Sequence, residues 1–285
     1  FVMASAPSDV YAPTPLDDEG RPNRDHEGSW PAEQLLPLPE KNWPQNKKEL
    51  LSWASERVKT HLNSSLESMK LEWSKHDRKA GQWEDVDIDR CHMMATNGIL
   101  MHIDEVEKCL ATVSDTILQG WRNGARPQWP APDGRGFQLD KHPLSQDGDV
   151  TWIEAWEISR PWFVDPDAKP FMMNAVHPEH WFQGEYDLVY SWDGRIRIID
   201  IKASLGNNDR SGDYVKQLRM YAFLWWHTHE KQQEVDGLEI WYLAANSQKM
   251  IEKPTVEEMD EMGLELKELW SQLREVTPDI EQCPP

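Results

Sequence analysis

Two opposite charges stand on the apolar side of one predicted β-strand, the stretch RIRIIDIKA at residues 195–203. In a strand, residues two apart share a face, so Asp200 and Lys202 project to the same side as Ile196 and Ile198. Burying a carboxylate or an ammonium is costly unless the charge is paired or binds something. The pattern therefore indicates a charge partner or a ligand at this end of the strand.

An Asp-Gly pair at residues 193–194 sets the register of this strand. Such a pair between two β-type runs is the strongest short signal of a two-residue hairpin loop, so Trp192 should pair with Arg195. On that register Asp187 lies directly opposite Asp200. Side chains placed so have Cβ atoms about 4.5–5.5 Å apart, and like charges at that separation are destabilising. The two carboxylates therefore need a cation, or one of them must hold a proton. A divalent ion that takes oxygen ligands, Mg²⁺ or Mn²⁺, supplies the cation.

A plainer interpretation of this hairpin stays open. The same register places Glu185 opposite Lys202, so the two side chains can form a surface ion pair beside two solvated aspartates. For an arbitrary hairpin this is the commoner case. A one-residue bulge would also change the register, and every pairing with it.

Three polar residues on predicted helices extend the pattern. Gln217 and Tyr221 are four residues apart and share one face of the helix that follows the strand. His102 lies at the margin of an apolar helical stripe, one turn before Val106. Each has an ordinary interpretation when taken alone. A Gln–Tyr pair is usually surface and core, and a lone histidine is more often structural than a ligand.

The periodicity of apolar residues predicts the elements that position these side chains. Residues 1–45 are acidic and Pro-rich without periodicity, which predicts a disordered or draped extension, and residues 46–285 then form a single domain. The predicted elements are helices over 46–78 and 86–119 within a helical part at 46–120, a loop over 120–150, strands over 151–159, 181–192 and 195–203, a helix over 213–230, a strand over 237–245 and an acidic helix over 255–276.

The motifs GEYD (184–187), DIK (200–202) and QLRMY (217–221), preceded by GILMH (98–102), resemble those of the PD-(D/E)xK nuclease superfamily. The similarity is to its RecB-like exonuclease branch, to which AddB-type nuclease domains are related. That branch has G-x-x-x-H on a helix, G-x-x-D and D-x-K on successive strands, and Q-x-x-x-Y on a helix. The resemblance implies an α/β fold with a restriction-endonuclease-like αβββαβ core, here over about 86–245. Its mixed central sheet is flanked by helices, in the element order that the periodicity predicts.

The resemblance also implies two sets of site residues. The metal ligands are His102, Asp187, Asp200 and the main-chain carbonyl of Ile201. The catalytic residues are Asp187, Asp200, Lys202, Gln217 and Tyr221. Lys202 would contact the attacking water or the scissile phosphate, Gln217 would support the lysine, and Tyr221 would position or face the phosphate. The implied activity is Mg²⁺- or Mn²⁺-dependent hydrolysis of DNA, since a bound metal ion lowers the pKa of water and offsets charge on phosphate oxygens.

Cysteine content and hydropathy limit the cofactors and the compartment. Several RecB-like enzymes hold an iron–sulfur cluster on four cysteines, whereas this chain has only Cys91, Cys109 and Cys283, without a C-x-x-C pair. We therefore expect such a cluster only if the chain is a fragment, with which its start without Met and its abrupt end are compatible. The few cysteines favour a reducing cytoplasm. The longest apolar run, YAFLWW, is too short to cross a membrane.

The net charge of −20 weighs modestly against tight DNA binding by this chain alone. The sign reverses locally, with six Lys and Arg against three Asp between residues 195 and 219. We favour a DNA exonuclease of repair and recombination, with DNA and a helicase or other recombination subunit as partners. The alternative is a non-catalytic or partner-dependent nuclease-like module of a helicase–nuclease complex. An RNA nuclease or a CRISPR-adaptation-type nuclease is a third possibility.

Overall fold

The structure is a computed structural model that describes residues 2–3, 7, 43–75, 82–123, 144–163, 175–179, 182–204 and 211–276. Its helices are α1 (Lys47–Lys75), α2 (Ile88–Thr112), α3 (Asp115–Arg122), α4 (Trp152–Ile158), α5 (Ser211–Thr228) and α6 (Val256–Val276). Its strands are β1 (Ala175–Val176), β2 (Gln183–Gly184), β3 (Leu188–Tyr190), β4 (Arg197–Lys202), β5 (Gly237–Tyr242) and β6 (Ser247–Ile251), with short 3₁₀ turns at Trp83–Asp85 and Leu243–Ala245. Most of the predicted extension at 1–45 and of the predicted loop at 120–150 lies outside the described residues, as does Cys283.

Helices α1, α2 and α4 form a layer whose apolar sides share one core. Asp87 caps the start of α2, and its side chain accepts a hydrogen bond from a main-chain N–H of the first turn. Ile103, near the middle of the apolar stripe of α2, is fully buried. Within the described residues, the helices predicted over 46–78 and 86–119 are confirmed. The second is divided in two, because Ser114 caps the start of α3.

The strand predicted over 151–159 is wrong, because this segment forms the helix α4. Thr151 and Glu154 make a capping box, in which the Glu154 carboxylate accepts from the Thr151 N–H at 2.9 Å. The same carboxylate binds the buried guanidinium of Arg122, at 2.8 Å, and so joins α4 to α3. Residues 153 to 158 are all buried. Because polar and apolar residues of this segment are buried alike, their alternation does not indicate a strand with one face in solvent.

The central sheet has the strand order β3-β4-β5-β6. β3 is antiparallel to β4, β4 runs parallel to β5 across the α5 connection, and β6 is antiparallel to β5. A mixed sheet flanked by helices was the predicted fold class, and it is confirmed. The strand predicted over 181–192 is divided between β2 and β3, and β2 pairs instead with β1 in a separate small sheet. Neither β1 nor β6 was predicted.

The turn between β3 and β4 forms at the predicted Asp-Gly pair. Gly194 has φ +76°, which glycine adopts without a steric penalty, and its N–H closes the turn. The Asp193 carboxylate accepts from the N–H of Arg195 at 3.2 Å. The ladder pairs Tyr190 with Arg197, which is the register predicted from the two-residue loop.

Strand β4 separates two apolar cores, because its alternate residues point to opposite faces of the sheet. Ile199 packs with the α1, α2 and α4 layer, whereas Ile198 packs with α5 on the other face. Both side chains are fully buried. Asp200 and Lys202 follow Ile198 onto the α5 face. In the described part of the chain, no helix is both long and apolar enough to span a bilayer.

A buried ion-pair network ties α2 to the face of the sheet that packs on the α1, α2 and α4 layer. Glu105 on α2 binds the guanidinium of Arg197 on β4 and accepts from the indole N–H of Trp192 at 2.8 Å. Lys108 adds a third donor at 2.9 Å. Burial by itself raises the pKa of the Glu105 carboxyl, but hydrogen bonds from these groups, Arg197 foremost, lower that pKa to about 2. Loss of Glu105 would leave the buried guanidinium with the more distant Glu239 carboxylate, at 3.6 Å, as its acidic partner.

We predict that Glu105→Gln lowers the free energy of unfolding by about 3 kcal/mol, because it removes one charge of a buried pair. Glu107→Gln is the matched control, since Glu107 lies two residues away on α2 and its ion pair with Lys47 is solvent-exposed. That substitution should cost less than about 1 kcal/mol. Urea unfolding followed by tryptophan fluorescence at neutral pH measures both values. Equal costs for the two variants would contradict the role of the network.

Candidate active site

Asp200 and Lys202 occupy the last residues of β4 and form an ion pair. The Lys202 Nζ lies 2.6 Å from Asp200 Oδ2, and Asp200 is only 1% exposed. Burial raises the pKa of the Asp200 carboxyl, Lys202 lowers it, and the nearby Asp187 carboxylate raises it further, with an upward shift as the net result. Among the described residues, Asp200 Oδ2 has no hydrogen-bond donor besides this ammonium. One buried carboxylate oxygen thus depends on a single cation.

Asp187 lies at the entrance of β3, where the backbone pairing with β4 stops. The paired register ends at Leu188 and Ile199, one residue short of Asp187 and Asp200, so their direct opposition stays a prediction. The two carboxylates do lie close enough for the Asp187 charge to raise the pKa of Asp200. The Asp187 Oδ2 accepts a hydrogen bond from the N–H of Ile201 at 2.6 Å. The main-chain N–H of Ile201 is thus bound by a side-chain carboxylate where a neighbouring strand would offer a main-chain carbonyl. This bond holds the Asp187 carboxylate beside the end of β4.

The predicted opposition of Glu185 and Lys202 does not form. β3 begins only at Leu188, so Glu185 lies before the ladder, and its side chain is exposed. The contacts of the Lys202 ammonium are instead with Asp200, Gln217 and the ring of Tyr214.

The predicted pair on α5 reaches the lysine through a chain of hydrogen bonds. Lys202 Nζ donates to Gln217 Oε1 at 3.1 Å, and Gln217 Nε2 donates to Tyr221 Oη at 2.7 Å. Tyr221 in turn packs on Gly184 of β2, where an added Cβ would lie 3.1 Å from the Tyr221 ring. The glycine of the GEYD motif therefore leaves the space that this ring fills.

Tyr214 is a residue at the site that the sequence analysis missed. The Lys202 Nζ lies over its ring, 4.7 Å from the ring centroid. Tyr214 precedes Gln217 by three residues, so both project from neighbouring positions on the same side of α5. That spacing was the available signal, but an aromatic residue in an apolar helix is commonly core.

His102 is placed away from the two aspartates. It is fully buried between α2 and the sheet, on the face that packs on α1, α2 and α4. It shares a hydrogen bond of 2.8 Å with Tyr190 Oη and packs edge-on against Trp156. No group of three or more His, Cys, Asp or Glu side chains in the described ranges is arranged to hold a metal ion. The structure thus brings Asp187 and Asp200 together without His102, and its ligand role stays a prediction.

The remaining predicted ligands are less distinctive. Ile201 is half-buried against the helical core, and its N–H is the group bound by Asp187. The free thiols of Cys91 and Cys109 lie on α2, and burial raises the pKa of the Cys109 thiol. A buried, protonated cysteine behaves as a small apolar side chain.

Comparison with known proteins yields one match. Residues 150–284 match the family model described as the PD-(D/E)XK nuclease superfamily, which is just under half of the chain. The matched segment contains Asp187, Asp200, Lys202, Gln217 and Tyr221 but begins after α2 and His102. No curated protein and no solved structure matches the chain. The match suggests a metal-dependent nuclease, and the four-stranded mixed sheet flanked by helices is consistent with the restriction-endonuclease-like fold.

The burial of His102 predicts loss of stability in acid. Burial lowers its pKa to about 3 in the folded protein, whereas an unfolded chain takes up this proton near pH 6.5. The unfolded state therefore binds more protons between these values, and the free energy of unfolding falls as the pH drops below about 6.5. Relative to the wild type, His102→Gln should lose about 2 kcal/mol less between pH 7.5 and pH 5. Urea unfolding at the two pH values measures this, and an unchanged pH dependence in the variant would refute it.

Proposed function

We propose that this protein is a Mg²⁺- or Mn²⁺-dependent nuclease that hydrolyses phosphodiester bonds in DNA. The observation that carries the proposal is the pair of interacting aspartates, Asp187 just before β3 and Asp200 near the end of β4, with the ammonium of Lys202 against the buried one. The match of residues 150–284 to a nuclease superfamily supports the same reaction class.

The donor set of this chain fits a hard divalent cation. Asp187 and Asp200 are carboxylates close enough to interact electrostatically, and Asp200 Oδ2 has only the Lys202 ammonium as a partner in the described residues. The proposed ligands are these carboxylates and the main-chain carbonyl of Ile201, because oxygen donors suit Mg²⁺ and Mn²⁺. His102 is kept as a predicted ligand only. The ion would lower the pKa of a bound water and offset charge on the phosphate oxygens.

Lys202 supplies the fixed positive charge of the proposed mechanism. Its side chain is 18% exposed, so its ammonium is largely shielded from solvent but can reach a substrate from the mouth of the site. A charge aimed at a phosphate oxygen from a partly dry site stabilises the transition state more than the same charge in water. Gln217 orients the ammonium through its Oε1, and Tyr221 fixes the Gln217 amide through its hydroxyl.

The finer assignment is a RecB-like DNA exonuclease of repair and recombination, acting in the cytoplasm with DNA and a helicase or other recombination subunit. The order of the GEYD, DIK and QLRMY motifs supports that branch. The net charge of −20 favours the alternative, a nuclease-like module that depends on a partner for DNA binding or does not cut by itself. An iron–sulfur cluster is proposed only for a longer form of the chain.

We predict that Asp200→Ala and Lys202→Ala each reduce DNA cleavage by at least about a hundredfold, because each removes a charge from the reacting centre. A time course on end-labelled single- and double-stranded DNA with Mn²⁺, Mg²⁺ or EDTA measures this and also separates exonuclease ladders from internal cuts. EDTA should abolish the cleavage.

Asp104→Asn is the matched control for these variants, because Asp104 is an exposed carboxylate on α2 with a surface ion pair to Lys47. It should cleave like the wild type. Unchanged metal-dependent cleavage in Asp200→Ala and Lys202→Ala would show that the site assignment is wrong. Absent or metal-independent cleavage by the wild type would favour the partner-dependent module.

A second prediction concerns the support of Tyr221. Gly184→Ala sets a methyl group 3.1 Å from the Tyr221 ring and 3.2 Å from Leu224, so the ring must shift by a few tenths of an ångström. Since the ring holds the Gln217 amide, we expect the cleavage rate to fall by about tenfold, below the hundredfold that a 1 Å misplacement can cost. Gly212→Ala on α5 is the control, because its added methyl meets nothing within 4 Å. Equal rates for the two variants, measured under single-turnover conditions, would contradict this support.

A further inference from the structure

Among the described residues, the Lys202 ammonium makes three contacts, one to β4 and two to α5. It is 2.6 Å from Asp200 Oδ2 and 3.1 Å from Gln217 Oε1, and it lies 4.7 Å from the centroid of the Tyr214 ring. Tyr214 is half-buried in the first turns of α5 and packs against the apolar core of that side. A protonated amine over the face of a phenol ring is attracted by the ring quadrupole, and more strongly where water is excluded.

The first of these neighbours is also the group that the proposed reaction needs. If the Asp200 carboxylate binds a divalent cation, its ion pair with Lys202 is weakened, because one carboxylate then serves two cations. Gln217 offers the lysine one neutral acceptor. The ring of Tyr214 offers a second, non-competing attraction, since an aromatic face draws a cation without coordinating a hard metal ion.

We infer that Tyr214 is a positioning residue, whose ring face holds the Lys202 ammonium at the mouth of the site when Asp200 is engaged. The inference rests on the proposed function and adds to it a residue outside the matched sequence motifs. The interaction belongs to the ring and not to the hydroxyl. A phenylalanine at position 214 should therefore position the lysine as well as Tyr214 does. A leucine there keeps the apolar packing but removes the ring quadrupole.

Tyr242 forms the other wall beside this lysine. The parallel ladder pairs Lys202 with Tyr242, so the two side chains stand next to each other on the α5 face of the sheet. The electrostatic neighbours of the Tyr242 hydroxyl include Tyr214, Asp200 and Lys202, and burial together with Tyr214 and Asp200 raises its pKa. The lysine thus has aromatic side chains from both β5 and α5 around it, which limits the directions its ammonium can take.

The first experiment observes the lysine itself and needs no cleavage. Protons above an aromatic ring are shifted upfield, so in protein labelled at lysine ¹³Cε the Lys202 ε-methylene should give an upfield signal, assigned by its loss in Lys202→Met. The signal should persist in Tyr214→Phe and move to the ordinary lysine position in Tyr214→Leu. Phe223→Leu is the matched control, since it shortens another aromatic residue of α5 that packs near His177 and His227, away from the lysine. It should leave the signal in place.

The second experiment separates positioning from packing. Tyr214→Leu should lower kcat roughly three- to thirtyfold with KM within about twofold, because a lysine that is badly held affects the chemical step more than DNA binding. Tyr214→Phe should retain the wild-type kcat, and the midpoint of thermal unfolding should differ little between the two variants.

Three results would overturn the inference. These are a Lys202 signal that is not shifted in the wild type, a Tyr214→Phe variant as slow as Tyr214→Leu, and a Tyr214→Leu variant with an unchanged kcat. If the wild type cleaves no DNA, the proposed function fails while the shifted signal still tests where the lysine lies. The two failures are therefore distinguishable.

Discussion

The arrangement of this protein depends on how one carboxylate, that of Asp200, is kept charged in an almost fully buried position. Burial favours its neutral form, and the second carboxylate of Asp187 adds to that tendency. The ammonium of Lys202, two residues further along the same strand face, opposes both effects. The side chains that surround this ammonium, from β5 and α5, follow from the need to hold it there.

The two faces of β4 have different roles, since one packs in the core with α2 and the other carries the candidate site. On the face that packs on α1, α2 and α4, Arg197 is bound by Glu105 of α2 and lies over the ring of Tyr190. That network fixes the start of β4 relative to α2. On the α5 face the strand ends in Asp200 and Lys202, whose pairing is sparse. An ion-pair network on one face thus supports, on the other, a buried carboxylate oxygen whose partner among the described residues is a single ammonium, as expected of a site that exchanges its contacts on binding.

Sequence patterns failed where residues are buried on all sides. The segment at 151–159 is rich in tryptophan and isoleucine and looks like a strand, yet it forms α4, because its capping box and the Arg122–Glu154 pair stabilise a helix in the core. The edge strand β6 was not predicted, because four of its five residues are exposed and the strand has no apolar face in its sequence. His102 shows a similar limit. Its position on the helical stripe is readable, but its partners Tyr190 and Trp156 come from distant elements.

The sequence by itself determined the register of β3 and β4, because a two-residue turn and the period of two in a strand are local properties. It likewise determined that Gln217 and Tyr221 share a face of α5, since helical spacing is local too. Only the tertiary structure decided the partner of Lys202. Its partners are Asp200 and the ring of Tyr214, and not Glu185, because β3 begins only after Glu185 and α5 packs over the face of the sheet on which Lys202 lies. Contacts between elements depend on how their cores pack, and no short stretch of sequence contains that information.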